Sequence, residues 1–263
     1  MVLILLNIIY SLHMKTFGIV MDVHGPYEDK RAYNVMMKVF DDAKLGGLFI
    51  IGDFLDMYWM HGHGAKHPSV PGNLQSEIEW GNSRLDEIDK RWPRIEKHFV
   101  EGNHEWRMER FLLEKCPEIF GFIDIKYLLK MHERPNWKWH PYGPNQLVRV
   151  GKSKLYAKHD PGPGPTAEAI AKNVGCNLVY GHVHRIRRGH HVSANGKDHV
   201  AFTGGWMGNK KLDKIFGYVK GHHQWQLGFI LVHVDEQTGL FYHEIIQIMD
   251  NKTCVWNGKI YKA

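Results

Sequence analysis

Leu48-Phe49-Ile50-Ile51-Gly52-Asp53 decides the fold of this chain of 263 residues. Four apolar residues in a row suit a strand buried on both faces, the pattern of a sheet covered by other layers on either side. Gly52 permits a sharp turn and the close approach of another group. Asp53 then emerges at the C-terminal edge of the strand, where the ligand sites of such sheets gather. The construction recurs at Phe17-Gly18-Ile19-Val20-Met21 before Asp22, at His98-Phe99-Val100-Glu101 before Gly102-Asn103-His104, and at Leu178-Val179-Tyr180 before Gly181-His182. Four strands carry nitrogen- and oxygen-bearing side chains to one edge.

Around these strands the apolar spacing predicts helices over 29–43, 74–90, 105–115 and 118–131, with Gly46-Gly47 stopping the first and Cys116-Pro117 the third. Thr166 caps a shorter helix that ends at Gly175. The opening rhythm of strand, helix, strand favours a parallel sheet with right-handed crossovers. An aromatic, proline-rich connection over 137–144 leads to a strand pair at 147–150 and 155–157, and then to His159. Beyond Gly181 only strands are expected, over 187–192, 199–203, 225–234 and 240–248, with hairpin turns at Asn195-Gly196, Thr238-Gly239 and Asn257-Gly258. That half should supply an antiparallel sheet against the first. The expected organisation is one domain over 14–263, preceded by an apolar extension over 1–13.

Composition narrows the function class. With 43% hydrophobic and 24% charged residues the chain is of ordinary globular type. The apolar run at its start is far short of the ~20 residues of a membrane span, so no membrane partner is expected. Three widely spaced cysteines give no disulfide framework, and a reducing cytoplasm is the simplest compartment. A net charge of +6 suits a polyanionic partner, nucleic acid included, but the basic residues are scattered and a solvated basic surface explains them equally well.

In an extended segment, residues two apart share a face. Asp22 and His24 therefore point together with Val23 turned inward, and His182 and His184 do so around Val183. With Asp53, Asn103 and His159 the set comes to seven donors and no thiolate, a mixture suited to Mn first, with Fe, Zn, Ni or Co as other candidates. Seven donors exceed the needs of one ion. They suit two divalent ions ~3.5–4 Å apart that share a carboxylate and clamp an in-line displacement at phosphorus. Each piece alone is weak, since Asp-x-His triplets, strand-end Gly-Asp turns and single histidines are common. The ordered set, each member at an expected strand end, is what carries weight.

Asp22-x-His24, Gly52-Asp53-x-x-Asp56, Gly102-Asn103-His104-Glu105, the lone His159 and Gly181-His182-x-His184 together resemble the signature of the calcineurin-like metallophosphoesterases. The resemblance runs from Asp22 to His184. It implies an α/β fold, a four-layer αββα sandwich of two mixed β-sheets flanked by helices, with a dinuclear metal site at the C-terminal strand edges. It further implies that Asp22, His24 and His184 hold one ion, that Asn103, His159 and His182 hold the other, and that Asp53 bridges. His104 would serve the leaving oxygen as a catalytic group, with Asp56 as its carboxylate partner.

The implied activity is hydrolysis of phosphate esters, diesters in particular, by hydroxide from a water shared between the metals. A carboxylate partner would keep the His104 imidazole protonated near neutral pH. A nuclease and a non-catalytic binding scaffold are the alternatives. Met57-Tyr58 stands where the protein-phosphatase branch has Arg-Gly, which speaks against that substrate class. Arg107 and Arg185, beside the motifs, are candidate phosphate contacts. His61, His63 and His67 fall in a long loop and read first as loop residues, while Trp206 reads first as packing.

Overall fold

The computed structural model describes residues 13–60, 70–209 and 224–263. Residues 1–12 and the histidines at 61, 63 and 67 lie outside the described residues, as do the expectations placed on them.

Strand β2 (Gly47–Ile51) is buried along its whole length, with Leu48, Phe49, Ile50 and Ile51 no more than 1% exposed. Such burial contributes roughly 1.5–3 kcal/mol for each large side chain. It lies between β1 (Met14–Met21) and β3 (Glu96–Val100), and β4 (Trp137–His140) extends the sheet beyond β3, all four strands parallel. On the other side of β1 the sheet continues antiparallel through β10 (Gly228–Asp235) and β11 (Phe241–Gln247). The second sheet runs β5 (Val148–Arg149), β6 (Leu155–Lys158), β7 (Asn177–Tyr180), β9 (Asp198–Gly204), β8 (Ile186–Val192), and it mixes parallel and antiparallel pairs.

Alternation along the strands sets the layers. Phe17, Ile19 and Met21 of β1, with Phe49 and Ile51 of β2, pack against Leu155, Ala157, Val179 and Phe202 of the second sheet. The opposite face, including Val20, Leu48 and Ile50, is covered by α1 (Lys30–Asp42), α2 (Leu74–Arg91) and α3 (Trp106–Lys115). Outside the second sheet, Ile170 and Ala171 of α5 (Ala167–Val174) cover Leu178, Tyr180 and Ala201. The architecture is the αββα sandwich, its fourth layer formed by that one short helix. Among the described residues no helix is long and apolar enough to cross a membrane, and all three cysteines are free.

The structure departs from the sequence reading in four places. The 118–131 helix is broken into a 3-10 turn (Pro117–Ile119), a single turn α4 (Ile125–Leu128) and a second 3-10 turn (Met131–Glu133). Gly121 adopts φ 89° and Asp124 caps α4 through the Tyr127 amide, so local turn chemistry overrides the apolar spacing. The supposed connection at 137–144 contains strand β4, whose Trp139 stacks on Phe99 with centroids 4.5 Å apart. Its flanking prolines are tolerated because β4 is an edge strand. Helix α1 ends at Ala43 and the left-handed Lys44, while Gly47 already belongs to β2. Finally, the later strands do not form a separate antiparallel sheet: β10 and β11 complete the first sheet, and β8 and β9 join the second.

Candidate metal centre

Three strands of the first sheet and two of the second carry the donor side chains on the turns that follow them. Asp22 and His24 follow β1, Asp53 follows β2, Asn103 follows β3, His159 follows β6, and His182 and His184 follow β7. Eleven non-glycine residues among those described have positive φ, and five are Asp22, His24, Asp53, His182 and His184. A left-handed non-glycine residue costs of order 1–2 kcal/mol, and such residues collect at functional sites. Here they turn the chain so that both members of each Asp-x-His or His-x-His pair reach one region.

Among the described residues two donor groups that share one carboxylate result, and a third joins His24 to Asp56 and His104. Ligand atoms of Asp22, His24, Asp53 and His184 lie within 4.8 Å of one another, and so do those of Asp53, His159 and His182. Asn103 Oδ1 joins the second group, 2.9 Å from His159 Nε2 and 2.9 Å from His182 Nδ1. The imidazoles are oriented for this. His24 Nδ1 donates to Asp56 Oδ1 at 2.8 Å and His159 Nδ1 donates to the Ile51 carbonyl at 3.1 Å, so each presents Nε2 inward. His24 Nε2 then stands 3.0 Å from His184 Nε2, which is 3.4 Å from Asp22 Oδ1. His182 is exposed while Asp22, His24, Asp53 and His159 are buried, so the opening to solvent lies on the His182 side.

The motif glycines permit this crowding. A Cβ on Gly102 would lie 2.3 Å from the Asp53 amide nitrogen and from Asp53 Oδ1, and one on Gly52, at φ 66°, would lie 2.3 Å from His159 Nδ1.

Charge is distributed unevenly over the donors. Burial, with Asp53 nearby, pushes Asp22 up to about 6. Burial would raise Asp53 too, but His104 and His159 hold it well below the usual carboxylate range. Burial lowers His184 to about 3, leaving it neutral. Burial also opposes a proton on His159, yet Asp53, with Nε2 3.3 Å from its Oδ2, raises His159 to about 10.

That proton must leave before His159 Nε2 can take a cation, so metal affinity should climb as pH rises, by about one log unit per pH unit for one proton released. In the metal-free fold the same proton is stabilising below the ordinary imidazole range, and its contribution is lost as pH rises toward about 10. Calorimetric titration with Mn from about pH 6 to about pH 8 measures this. An affinity independent of pH would take His159 out of the ligand set.

His104 is held by backbone and carboxylate together. Its Nδ1 donates to the backbone carbonyl of Asp56 at 2.7 Å and lies 3.5 Å from the Asp56 carboxylate, which also takes the His24 Nδ1 proton. Arg107 donates to the same carbonyl at 2.9 Å and places a second nitrogen 2.8 Å from His104 Nε2. Burial lowers the His104 pKa, and with Arg107 it outweighs the Asp53 and Asp56 carboxylates, which raise it. Arg185 is half-buried directly after His184.

Two residues escaped the sequence reading. Glu105, fully buried, accepts from the amides of Asp53 (3.0 Å), Leu55 (2.8 Å) and Gly102 (2.9 Å), tying the Asp53 and Asn103 loops together. Its place in the Gly-Asn-His-Glu run was the available signal. Trp206 stacks on His184 with centroids 5.2 Å apart and planes at 15°, and it meets His24 edge-on at 6.0 Å. Nothing in its sequence surroundings shows which ring it would touch.

Trp206→Ala should free the His184 ring and weaken Mn binding by roughly 10–100-fold, the usual cost of losing an outer-shell support. Trp206→Phe should recover most of it, and unchanged affinity in the alanine variant would leave Trp206 as packing.

No family model and no curated protein matches the chain. Among solved structures it is similar to vacuolar protein sorting 29 from Cryptosporidium parvum, with 14% identity, 95% of this chain and 96% of that one covered, and a TM-score of 0.45. It is also similar to YfcE, a phosphoesterase from E. coli, with 16% identity, 88% and 98% covered, and a TM-score of 0.39. A third is a zinc complex of Vps29 from Entamoeba histolytica, with 10% identity, 94% and 97% covered, and a TM-score of 0.43. Likeness at this level says nothing of activity, and the site speaks through its own residues. The chain combines the ordered motifs that resemble calcineurin-like metallophosphoesterases with the four-layer architecture those motifs imply.

Proposed function

We propose that the chain is a two-metal hydrolase of phosphate esters, with phosphodiesters as the favoured class and Mn as the first candidate metal. The observation that carries this reading is the sharing of Asp53 by two converging donor groups. The residues fit such ions. Two imidazole nitrogens face each other at 3.0 Å, and the His24 Nδ1 proton is already committed to Asp56. Two such nitrogens can share only a proton or a cation. Asp56 Oδ2 is in addition a buried oxygen with no hydrogen-bond partner among the described residues.

By this reading Asp22, His24 and His184 hold one ion, Asn103, His159 and His182 the other, and Asp53 both. A pair of divalent ions there supplies a nucleophile from water at neutral pH and neutralises charge building at phosphorus. The chain's own residues do the rest. Asp56 and the Ile51 carbonyl fix the tautomers of His24 and His159. Glu105 sets the spacing of the two loops, and the Asp56 carbonyl orients His104. Arg107, which donates to His104 Nε2, brings positive charge to the edge of the site, where a departing oxygen needs a proton or a positive charge.

The test is a panel of chromogenic mono- and diesters with single- and double-stranded DNA, each with Mn and with chelator. Diester hydrolysis that needs Mn and stops with chelator is the expected outcome. Protein that stays metal-free and inert with every divalent ion would defeat the proposal in favour of a binding role.

A further inference from the structure

Every buried or half-buried arginine of this fold has a partner among the described residues, with one exception. Arg84 pairs with Glu28 and Glu87, and Arg134 with Asp86 and Asp89. Arg110 faces Glu114, Arg107 holds Asp56 and His104, and Arg187 donates to the Pro165 carbonyl. Arg185 is half-buried and makes neither an ion pair nor a hydrogen bond there. A guanidinium partly withdrawn from water without a counter-charge is costly, and its planar fork matches phosphate oxygens two at a time.

Arg185 lines a cleft of about 500 Å³ with Ile186, Arg187, Gln224, Trp225 and Gln226. Among the described residues the lining thus offers two guanidiniums, two amides and an indole, and it contains no carboxylate. One ring separates this cleft from the metal centre, because Trp225 stands edge-on to His184 with centroids 4.4 Å apart. The two walls are fastened to each other. The Gln226 amide donates to the His184 carbonyl at 3.0 Å, and the Ile186 amide donates to Gln226 Oε1 at 3.0 Å.

We propose that this cleft is an anion subsite that holds a second phosphate of the substrate, adjacent to the ester being cut. The inference rests on the phosphoesterase reading and deepens it: the preferred substrate carries two phosphates, and the Trp225 ring supplies a stacking surface for a base between them. The second phosphate can be the next one along a nucleic-acid strand or the terminal one of a small bisphosphate, since both present the same oxygens to Arg185.

The experiment compares the Mn-loaded full chain on thymidine 5′-(p-nitrophenyl phosphate) with and without a 3′-phosphate. The added phosphate should lower KM by about tenfold, as one charge-assisted contact would. Arg185→Ala should erase that advantage, and Arg185→Lys should keep part of it. Equal KM values for the two esters in the parent protein, or an undiminished advantage in the alanine variant, would overturn the subsite. If neither ester is turned over, the hydrolytic reading fails by itself. Calorimetry with thymidine 5′-phosphate and thymidine 3′,5′-bisphosphate then decides the subsite by the same comparison. A short single-stranded oligonucleotide separates the sources. If it uses the cleft, the dependence of its log affinity on log salt should become shallower by about 0.7 in Arg185→Ala. An unchanged slope alongside a retained 3′-phosphate effect would assign the cleft to small bisphosphates.

Discussion

Asp53→Ala is expected to lose bound metal and diester hydrolysis together. Asp53 is 1% exposed, belongs to both donor groups, and is the carboxylate that balances the His159 imidazole at 3.3 Å. Its removal takes an oxygen from each proposed ion and strips His159 of its counter-charge. Lewis-acid stabilisation at phosphorus is worth several kcal/mol. With about 1.4 kcal/mol per tenfold in rate, the loss should reach roughly 10³-fold or more. Metal content by elemental analysis and turnover of a nitrophenyl diester measure the two effects on one preparation. Asp53→Asn keeps the shape and removes the charge, so it should fall between parent and alanine in metal content. A variant with full metal and full rate would contradict the shared-ligand role.

His104→Ala should do the opposite to metal content, leaving it intact, while slowing esters with poor leaving groups by roughly 10²–10⁴-fold, the range of general acid catalysis. His104 lies outside the two proposed ligand sets, although it forms a third donor group with His24 and Asp56, and its ring is fixed by the Asp56 carbonyl and by Arg107. The loss should shrink on p-nitrophenyl esters, whose leaving group needs little help. Because Arg107 stands 2.8 Å from Nε2, it must yield that position whenever the imidazole carries a proton there. An unchanged rate on alkyl esters would remove His104 from the chemistry and leave Arg107 as the group that meets the departing oxygen.

Much of the site was legible because its determinants are local. The period of two of an extended segment does not apply to Asp22 and His24 or to His182 and His184, all four of which have positive φ beyond the strand ends, whereas a buried apolar strand followed by glycine and a donor is visible in six residues. The caps behaved alike: Asp29, Thr166 and Gly175 do what their residue types predict. What stayed hidden depends on contacts across the chain. Nothing near Asp56 says that its carboxylate will reach a histidine 32 positions earlier while its carbonyl takes the His104 Nδ1 proton. The Trp206 ring, beyond the end of β9, finds His184, beyond the end of β7, because these two strands are neighbours in the second sheet. The apolar spacing of 118–131 looked helical, yet Gly121, the Asp124 cap and the left-handed Lys130 divide it.

The donors come from both sheets: those after β1, β2 and β3 from the first, those after β6 and β7 from the second. A bound pair of cations would therefore rivet the halves of the sandwich where their apolar seam ends, and cargo and mechanical integrity would be one property. Ligand present at a hundred times its dissociation constant adds about 2.7 kcal/mol to the folded state. Heating a chelated sample should accordingly open the molecule first along that seam, with His159, His182 and His184 swinging away from Asp22, His24 and Asp53.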